Sequence, residues 1–272
     1  VRDDGFALGL LIAPSLAFLL AFFLLPLALM VRAGAAGPDG VATYLAILTH
    51  RPYLESLGQT VLLAATVTAC TLGIAGTLGV FLARQRFPGQ SVLTAMLTLP
   101  LAFPGVVVGF LVILLAGRQG IIGQASAALF DERWVFAYSL AGLFLGYLYF
   151  SIPRTLLTVK AAAEKLDPAL EEAARSCGAG PLRMVWDVIL PGLKGALLAA
   201  GAICFATAMG AFGTAFTLAT RINVLPMVIY TEFTLGANIA AAAALSFILG
   251  VITWAVLGLA RSIAGATVAA AG

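Results

Sequence analysis

The chain has 272 residues, 62% hydrophobic and only 10% charged, against about 45–50% apolar and about 25% charged in an ordinary soluble domain. A water-soluble globule needs a polar coat that this composition cannot supply, so a soluble domain is excluded and an integral membrane protein indicated. The net charge of +3, from 15 Lys+Arg against 12 Asp+Glu, is spread without a basic block and speaks against a nucleic-acid partner.

A bilayer core of about 30 Å needs roughly 20 apolar residues in helical form. Six stretches meet that length or nearly so: Phe6–Val31, Gly58–Ala83, Ser91–Gly117, Val135–Pro153, Gly195–Thr220 and Phe233–Ala260. None holds an Asp, Glu, Lys or Arg, the pattern expected when a charge in hydrocarbon costs several kcal/mol. Barrel strands, about 10 residues of alternating polarity, do not fit. The first stretch follows Asp3 and Asp4 and is longer than the 7–15-residue apolar region of a signal peptide, so it reads as an uncleaved span.

With both termini placed in the cytoplasm, the inner side holds Arg2, Arg84, Arg86, Arg154, Lys160, Lys165, Arg175, Arg183, Lys194 and Arg261. The outer side holds Arg32, Arg51, Arg118, Arg133 and Arg221, a bias of ten to five that favours this orientation. Outside lie the turn Gly34–Gly40, the segment Val41–Leu57 with Tyr44 and Tyr53, and the segment Gln119–Trp134. Cys70, Cys177 and Cys204 have no metal-ligand spacing and His50 no second histidine, so neither set points to a metal.

The longest inner connection, Arg154 to Lys194, is the most charged part of the chain. Asp167-Pro168 predicts a helix start. Leu170, Ala173, Ala174 and Cys177 then form an apolar stripe at i, i+3, i+4 and i+7. Glu171 and Arg175 pair four apart, and Gly178 ends the helix. A second short helix starts near Pro181, with Leu182, Val185, Trp186 and Ile189 as its stripe, and is broken at Pro191-Gly192. The two stripes either pack on the inner ends of the spans or dock into a partner's groove.

The run Glu172-Ala173-Ala174, three residues, Gly178, nine residues, Val188-Ile189-Leu190-Pro191 resembles the EAA signature of binding-protein-dependent ABC importer permeases. Val188 replaces the usual Ile; every other fixed position matches. The resemblance covers nearly the whole chain. It implies an all-α fold of six transmembrane helices, the type I importer permease fold with cytoplasmic coupling helices, forming one domain over residues 1–272. Leu99-Pro100, Phe103-Pro104-Gly105 and the spacing around the EAA region look closest to the polyamine, phosphonate, iron(III) and thiamine permeases.

The resemblance also implies partners: two cytoplasmic ATPase subunits that bind ATP and magnesium, a second permease, expected to be a paralogue, and an extracytoplasmic binding protein, all at the inner membrane. Glu171 and Glu172 would be the polar contacts to the ATPase, with Ala173 and Ala174 the close-packed surface. Gly178 would set the turn, while Val188 and Leu190-Pro191 join the lever to the fifth span. Asp131, Glu132 and Glu232, the acids of the later outer loops, tilt the expected substrate toward polyamine, with 2-aminoethylphosphonate, iron(III) or thiamine as alternatives.

The translocation path is expected along Phe103, Gly105, Gly210, Phe212, Thr214, Thr217 and Glu232, although for any single one of them ordinary small-residue helix packing is the favoured reading. With no phosphate loop, the chain cannot hydrolyse ATP itself. With no ionisable group at mid-span, an ion-coupled carrier is disfavoured. No G-x-S-x-G or H-E-x-x-H supports an intramembrane enzyme.

Overall fold

The computed structural model describes residues 4–38, 40–218 and 222–264, among which every regular element is helical. Arg2 and Arg221, used in the orientation count, Asp3, which precedes the first stretch, and Thr220, the expected end of the fifth span, lie outside the described residues. Six stretches are long and apolar enough to cross a membrane: Leu11–Gly34, Arg51–Arg84, Gly105–Phe130, Leu140–Lys165, Pro181–Met209 and Ile239–Ile263.

In chain order, α1 (Asp4–Leu19) continues through a π turn, Leu20–Leu24, into α2 (Leu25–Gly34), and α3 (Ala42–Thr49) precedes α4 (Arg51–Arg84). The expected third span is not one helix. It is α5 (Gln90–Thr98), a 3₁₀ turn Leu99–Ala102, a break at Phe103-Pro104, and α6 (Gly105–Ala116). Pro100 and Pro104 each lack a backbone N–H, and two prolines four apart leave too few donors to carry an α-helix through. After α7 (Ile121–Phe130) comes α8 (Leu140–Lys165), which starts five residues later than expected and does not stop at Pro153. No Gly, Asn or second Pro follows Pro153 until Asp167-Pro168, so nothing ends the helix there.

Next come α9 (Pro168–Ser176) and α10 (Pro181–Met184), which passes through a π turn, Val185–Ile189, directly into α11 (Leu190–Met209). The expected break at Pro191-Gly192 is absent. The Leu190 N–H bonds the Val185 carbonyl five residues back, and that wider turn accommodates the proline ring that follows. The first span repeats the device: the Leu25 N–H bonds the Leu20 carbonyl just before Pro26. The fifth span also breaks, at Gly210-Ala211, before α12 (Phe212–Leu218). The sixth begins at Ile239 rather than Phe233, because Phe233 belongs to α13 (Leu225–Thr234) and α14 covers Ile239–Ala264. Asn238 caps α14, its Oδ1 accepting from the Ala241 N–H at 3.1 Å.

The helices fall into two compact units, with α4, α13 and α14 contributing to both. The smaller comprises the described residues up to 56 together with 228–250. In it the Tyr44 hydroxyl donates to the Val31 carbonyl at 2.8 Å, and the Tyr44 ring meets Phe247 edge-on. The Tyr53 hydroxyl donates to Glu232 Oε1 at 2.8 Å.

The larger unit comprises 57–227 and the described residues from 251 on. Its centre is α8, on which Leu143, Tyr147, Leu156 and Val159 are fully buried. A Cβ at Gly79 of α4 would lie 3.1 Å from the Val159 Cβ, a measure of how closely those helices pass. Leu97 of α5 packs by Leu156, while Val108 and Val112 of α6 lie against Gly146. The broken third span therefore runs antiparallel along α8.

Candidate functional site

The EAA segment is built by local sequence signals. Asp167 Oδ1 accepts from the Ala169 N–H at 2.9 Å and Pro168 occupies the first helical position, which starts α9. At its other end Gly178 adopts φ +81°. Its N–H bonds the Arg175 carbonyl at 2.9 Å and the Ala179 N–H bonds the Ala174 carbonyl at 3.0 Å, a Schellman ending that turns the chain toward α10.

How α9 is rotated about its axis was not legible in its periodicity. Glu171 is 8% exposed. Its Oε1 lies 2.7 Å from Arg84 Nε at the end of α4, and its Oε2 4.0 Å from Arg175. Arg84 also donates to the Leu166 carbonyl at 3.2 Å, so a single guanidinium holds both the entry to α9 and its first turn. Glu171 thus faces the protein, not a partner. Glu172 and Ala173 are exposed and Ala174 is half-buried, while Leu170 of the apolar stripe is 52% exposed.

The same inversion holds on the next helix. Leu182 and Trp186 are 74% and 65% exposed and Val185 is also exposed, whereas Ile189 is buried. Met184, Ile189 and Leu193 form a cluster with Val159 and Ala163 of α8, with Val80 and Ala83 packed against it. Of the motif's later positions, Val188 and Leu190 are half-buried, and Gly178 and Pro191 are exposed. The two stripes do not both pack on the span ends. They leave an apolar, unpartnered face on a helix pair that is itself firmly anchored. Beside it a groove of about 400 Å³ is lined by Trp186, Leu190, Pro191, Lys194, Leu197 and Leu198.

Of the residues expected along the path, Gly105, Thr214 and Thr217 come together, but in a helix crossing. Thr214, fully buried, donates to the Gly105 carbonyl at 2.9 Å. Thr217 donates to the Val106 carbonyl at 3.3 Å, and a Cβ on Gly109 would lie 2.6 Å from the Thr217 Cβ. These residues have a packing role between α6 and α12. Phe103 and Gly210 are exposed and mark the two helix breaks, and Phe212 is half-buried against Phe216. The breaks are neighbours, since a Cβ on Gly213 would meet the Val106 nitrogen at 3.1 Å. Tyr147 donates to the Ala211 carbonyl, which ties the second break to α8. Glu232 lies in the smaller unit, bonded to Tyr53.

Sequence reasoning missed two arginines. Arg84 was seen only as a boundary charge. Arg154 was placed in a loop, but α8 carries it inside the span, exposed, with its Nη1 3.4 Å from the Thr207 hydroxyl of α11. An ionisable side chain therefore does lie within a helix long enough to span, against the expectation from sequence. The helix-permissive run after Pro153, from Arg154 to Lys165, was the signal that could have revealed it.

Residues 75–267, which include the whole EAA segment, match the family described as binding-protein-dependent transport system inner membrane component. The chain belongs to this family. It is 35% identical over 219 residues to a sulfate transport system permease protein of Salmonella typhimurium, covering 80% of this chain and 76% of that one. It is 34% identical over 182 residues to a molybdenum transport system permease protein of Escherichia coli, covering 64% and 78%. A protein of Salmonella typhi named for 2-aminoethylphosphonate transport is 27% identical over 264 residues, covering 94% and 91%.

The fold matches a chain of a bacterial alginate ABC transporter, solved in complex with a pentasaccharide-bound periplasmic protein. The TM-score is 0.83 at 16% identity, over 97% of this chain and 95% of that one. Membership of the family makes the chain a multi-pass inner-membrane permease subunit of an ABC importer, and such subunits are not themselves enzymes. The phosphonate relative agrees with the subgroup expected from sequence. The sulfate and molybdenum relatives were not foreseen, and polyamine finds no support among these proteins.

Proposed function

We propose that this chain forms half of an importer's pore and couples it to two cytoplasmic ATPase subunits through α9 and α10. A second permease, a paralogue, completes the pore, and an extracytoplasmic binding protein delivers the solute. The carrying observation is the outward apolar face of Leu170, Leu182, Val185 and Trp186 on a helix pair fixed from behind by Arg84–Glu171 and the Met184–Ile189–Leu193 cluster. A surface that receives force must be sticky outside and rigid inside, and this one is both. ATP and magnesium belong to the partners, with this chain contributing no nucleotide site.

The EAA end, with its surplus of Lys and Arg, faces the cytoplasm in this reading. The solute is a small oxyanion of the sulfate or molybdate kind, with an organophosphonate as the alternative; the names of the relatives support this class. The polyamine expectation is withdrawn. The path runs beside the paired breaks at Phe103-Pro104 and Gly210-Ala211, where freed backbone groups can line a cavity.

Reconstitution tests the reading. Vesicles holding this chain, its partner permease, the ATPases and the binding protein should accumulate sulfate or molybdate only with ATP inside the compartment that bears α9. Accumulation by this chain alone under an ion gradient would overturn it.

A further inference from the structure

We infer that Arg154 is a substrate-contacting residue of the pore, a cationic station for the passing oxyanion on the face shared by α8 and α11. This rests on the oxyanion reading above. From Leu140 to Lys160 a helix rises about 30 Å, the thickness of a bilayer core. Arg154 lies about 9 Å inside the Lys160 end on the same measure.

A lipid-facing arginine at that depth snorkels to the nearer headgroups. Arg154 does the opposite. Val159 and Ala163 pack level with Ile189 and Leu193. Along this antiparallel pair Arg154 lies beyond that level on α8, and Thr207 lies further beyond it on α11. The guanidinium, within 3.4 Å of the Thr207 hydroxyl, therefore reaches deeper into the membrane.

It is also not neutralised. Among the described residues no carboxylate lies within ion-pair distance of Arg154, and its only hydrogen bond is the long one to Thr207. The Thr207 hydroxyl gives its own proton to the Ile203 carbonyl, which leaves its oxygen as an acceptor facing the guanidinium. Most of the five N–H donors of an exposed, planar fork thus remain for a ligand. Intramembrane charges face the bundle interior or an aqueous cavity and mark substrate pathways. Two parallel N–H groups match two oxygens of a tetrahedral anion. A polyammonium cation at the same place would be repelled.

The test compares wild type, Arg154→Gln and Arg154→Lys in the complete transporter, reconstituted with its binding protein and supplied with sulfate and molybdate. Arg154→Gln is expected to lower anion uptake per ATP hydrolysed at least tenfold in a complex that still assembles, and Arg154→Lys to recover at least a third of the wild-type value. Uptake by Arg154→Gln within twofold of wild type, or no recovery by Arg154→Lys, overturns the inference while leaving the coupling reading intact. A wild type that moves neither anion overturns the oxyanion reading and this inference with it.

Should Arg154→Gln fail to assemble, Arg154→Cys in a background lacking Cys70, Cys177 and Cys204 provides the second measurement. A cationic thiol adduct should restore uptake and an anionic one should not; equal effects of the two overturn the assignment.

Discussion

At φ +81° Gly178 occupies a left-handed conformation that a residue with a Cβ adopts at a cost of about 1–2 kcal/mol. A Cβ there would meet nothing within 4 Å, so the penalty is backbone strain alone, concentrated in the turn between α9 and α10. Gly178→Val should cut ATP-driven uptake severalfold while the chain still inserts, and Gly178→Asn, which tolerates this region, should lose less. Equal uptake by both would remove Gly178 from the coupling turn. Gly109 is the contrasting case, since a Cβ there would lie 2.6 Å from the Thr217 Cβ. Gly109→Ala should destabilise the α6–α12 crossing by about 1–3 kcal/mol, seen as a lower unfolding temperature in detergent. Gly210→Ala, whose added Cβ would meet only the Ala206 carbonyl at 3.8 Å, should leave that temperature unchanged.

Among the elements, α9 shows how one buried pair sets the orientation of a helix. Removing one partner of a fully buried ion pair costs about 3–5 kcal/mol; Arg84 and Glu171, whose side chains alone are 19% and 11% exposed, should lose less. Arg84→Gln should nevertheless uncouple ATP hydrolysis from uptake, because it frees the first turn of α9. The exchange Arg84→Glu with Glu171→Arg should restore part of the coupling. No recovery in the exchanged pair would mean that the interaction does not position the helix. The outer face predicts the complementary result. Leu182→Asp with Trp186→Asp alters side chains 74% and 65% exposed, so the thermal stability of the isolated chain should hold. Co-purification of the ATPase should be lost.

For the molecule as a whole, orientation is the property most open to direct test. Cys177 is exposed beside the coupling turn. A membrane-impermeant thiol reagent should label it in inverted vesicles and not in right-side-out ones; labelling from the outside would reverse the proposed topology. The larger unit carries the parts that a moving pore needs: two broken spans side by side, a central α8, and the helix pair at its end. Both π turns end immediately before the leucine of a Leu-Pro pair, so two helices that sequence rules would end at proline instead run on.

By itself the amino-acid order determined the membrane class, the approximate place of six spans, both boundaries of α9 and the membership signalled by Glu172-Ala173-Ala174 and Gly178. Those are local matters: apolar run length, a capping aspartate, a glycine with positive φ. Only the tertiary structure decided which side of α9 is hidden, because the amphipathic pattern gives two faces and the contact with Arg84, distant in sequence, chooses between them. It likewise moved Arg154 from a loop into a helix long enough to span, and brought Gly105, Thr214 and Thr217 together at a helix crossing. A proline's missing donor, and a threonine's spare one, are satisfied by whatever the fold brings near, and no spacing along the chain reports that.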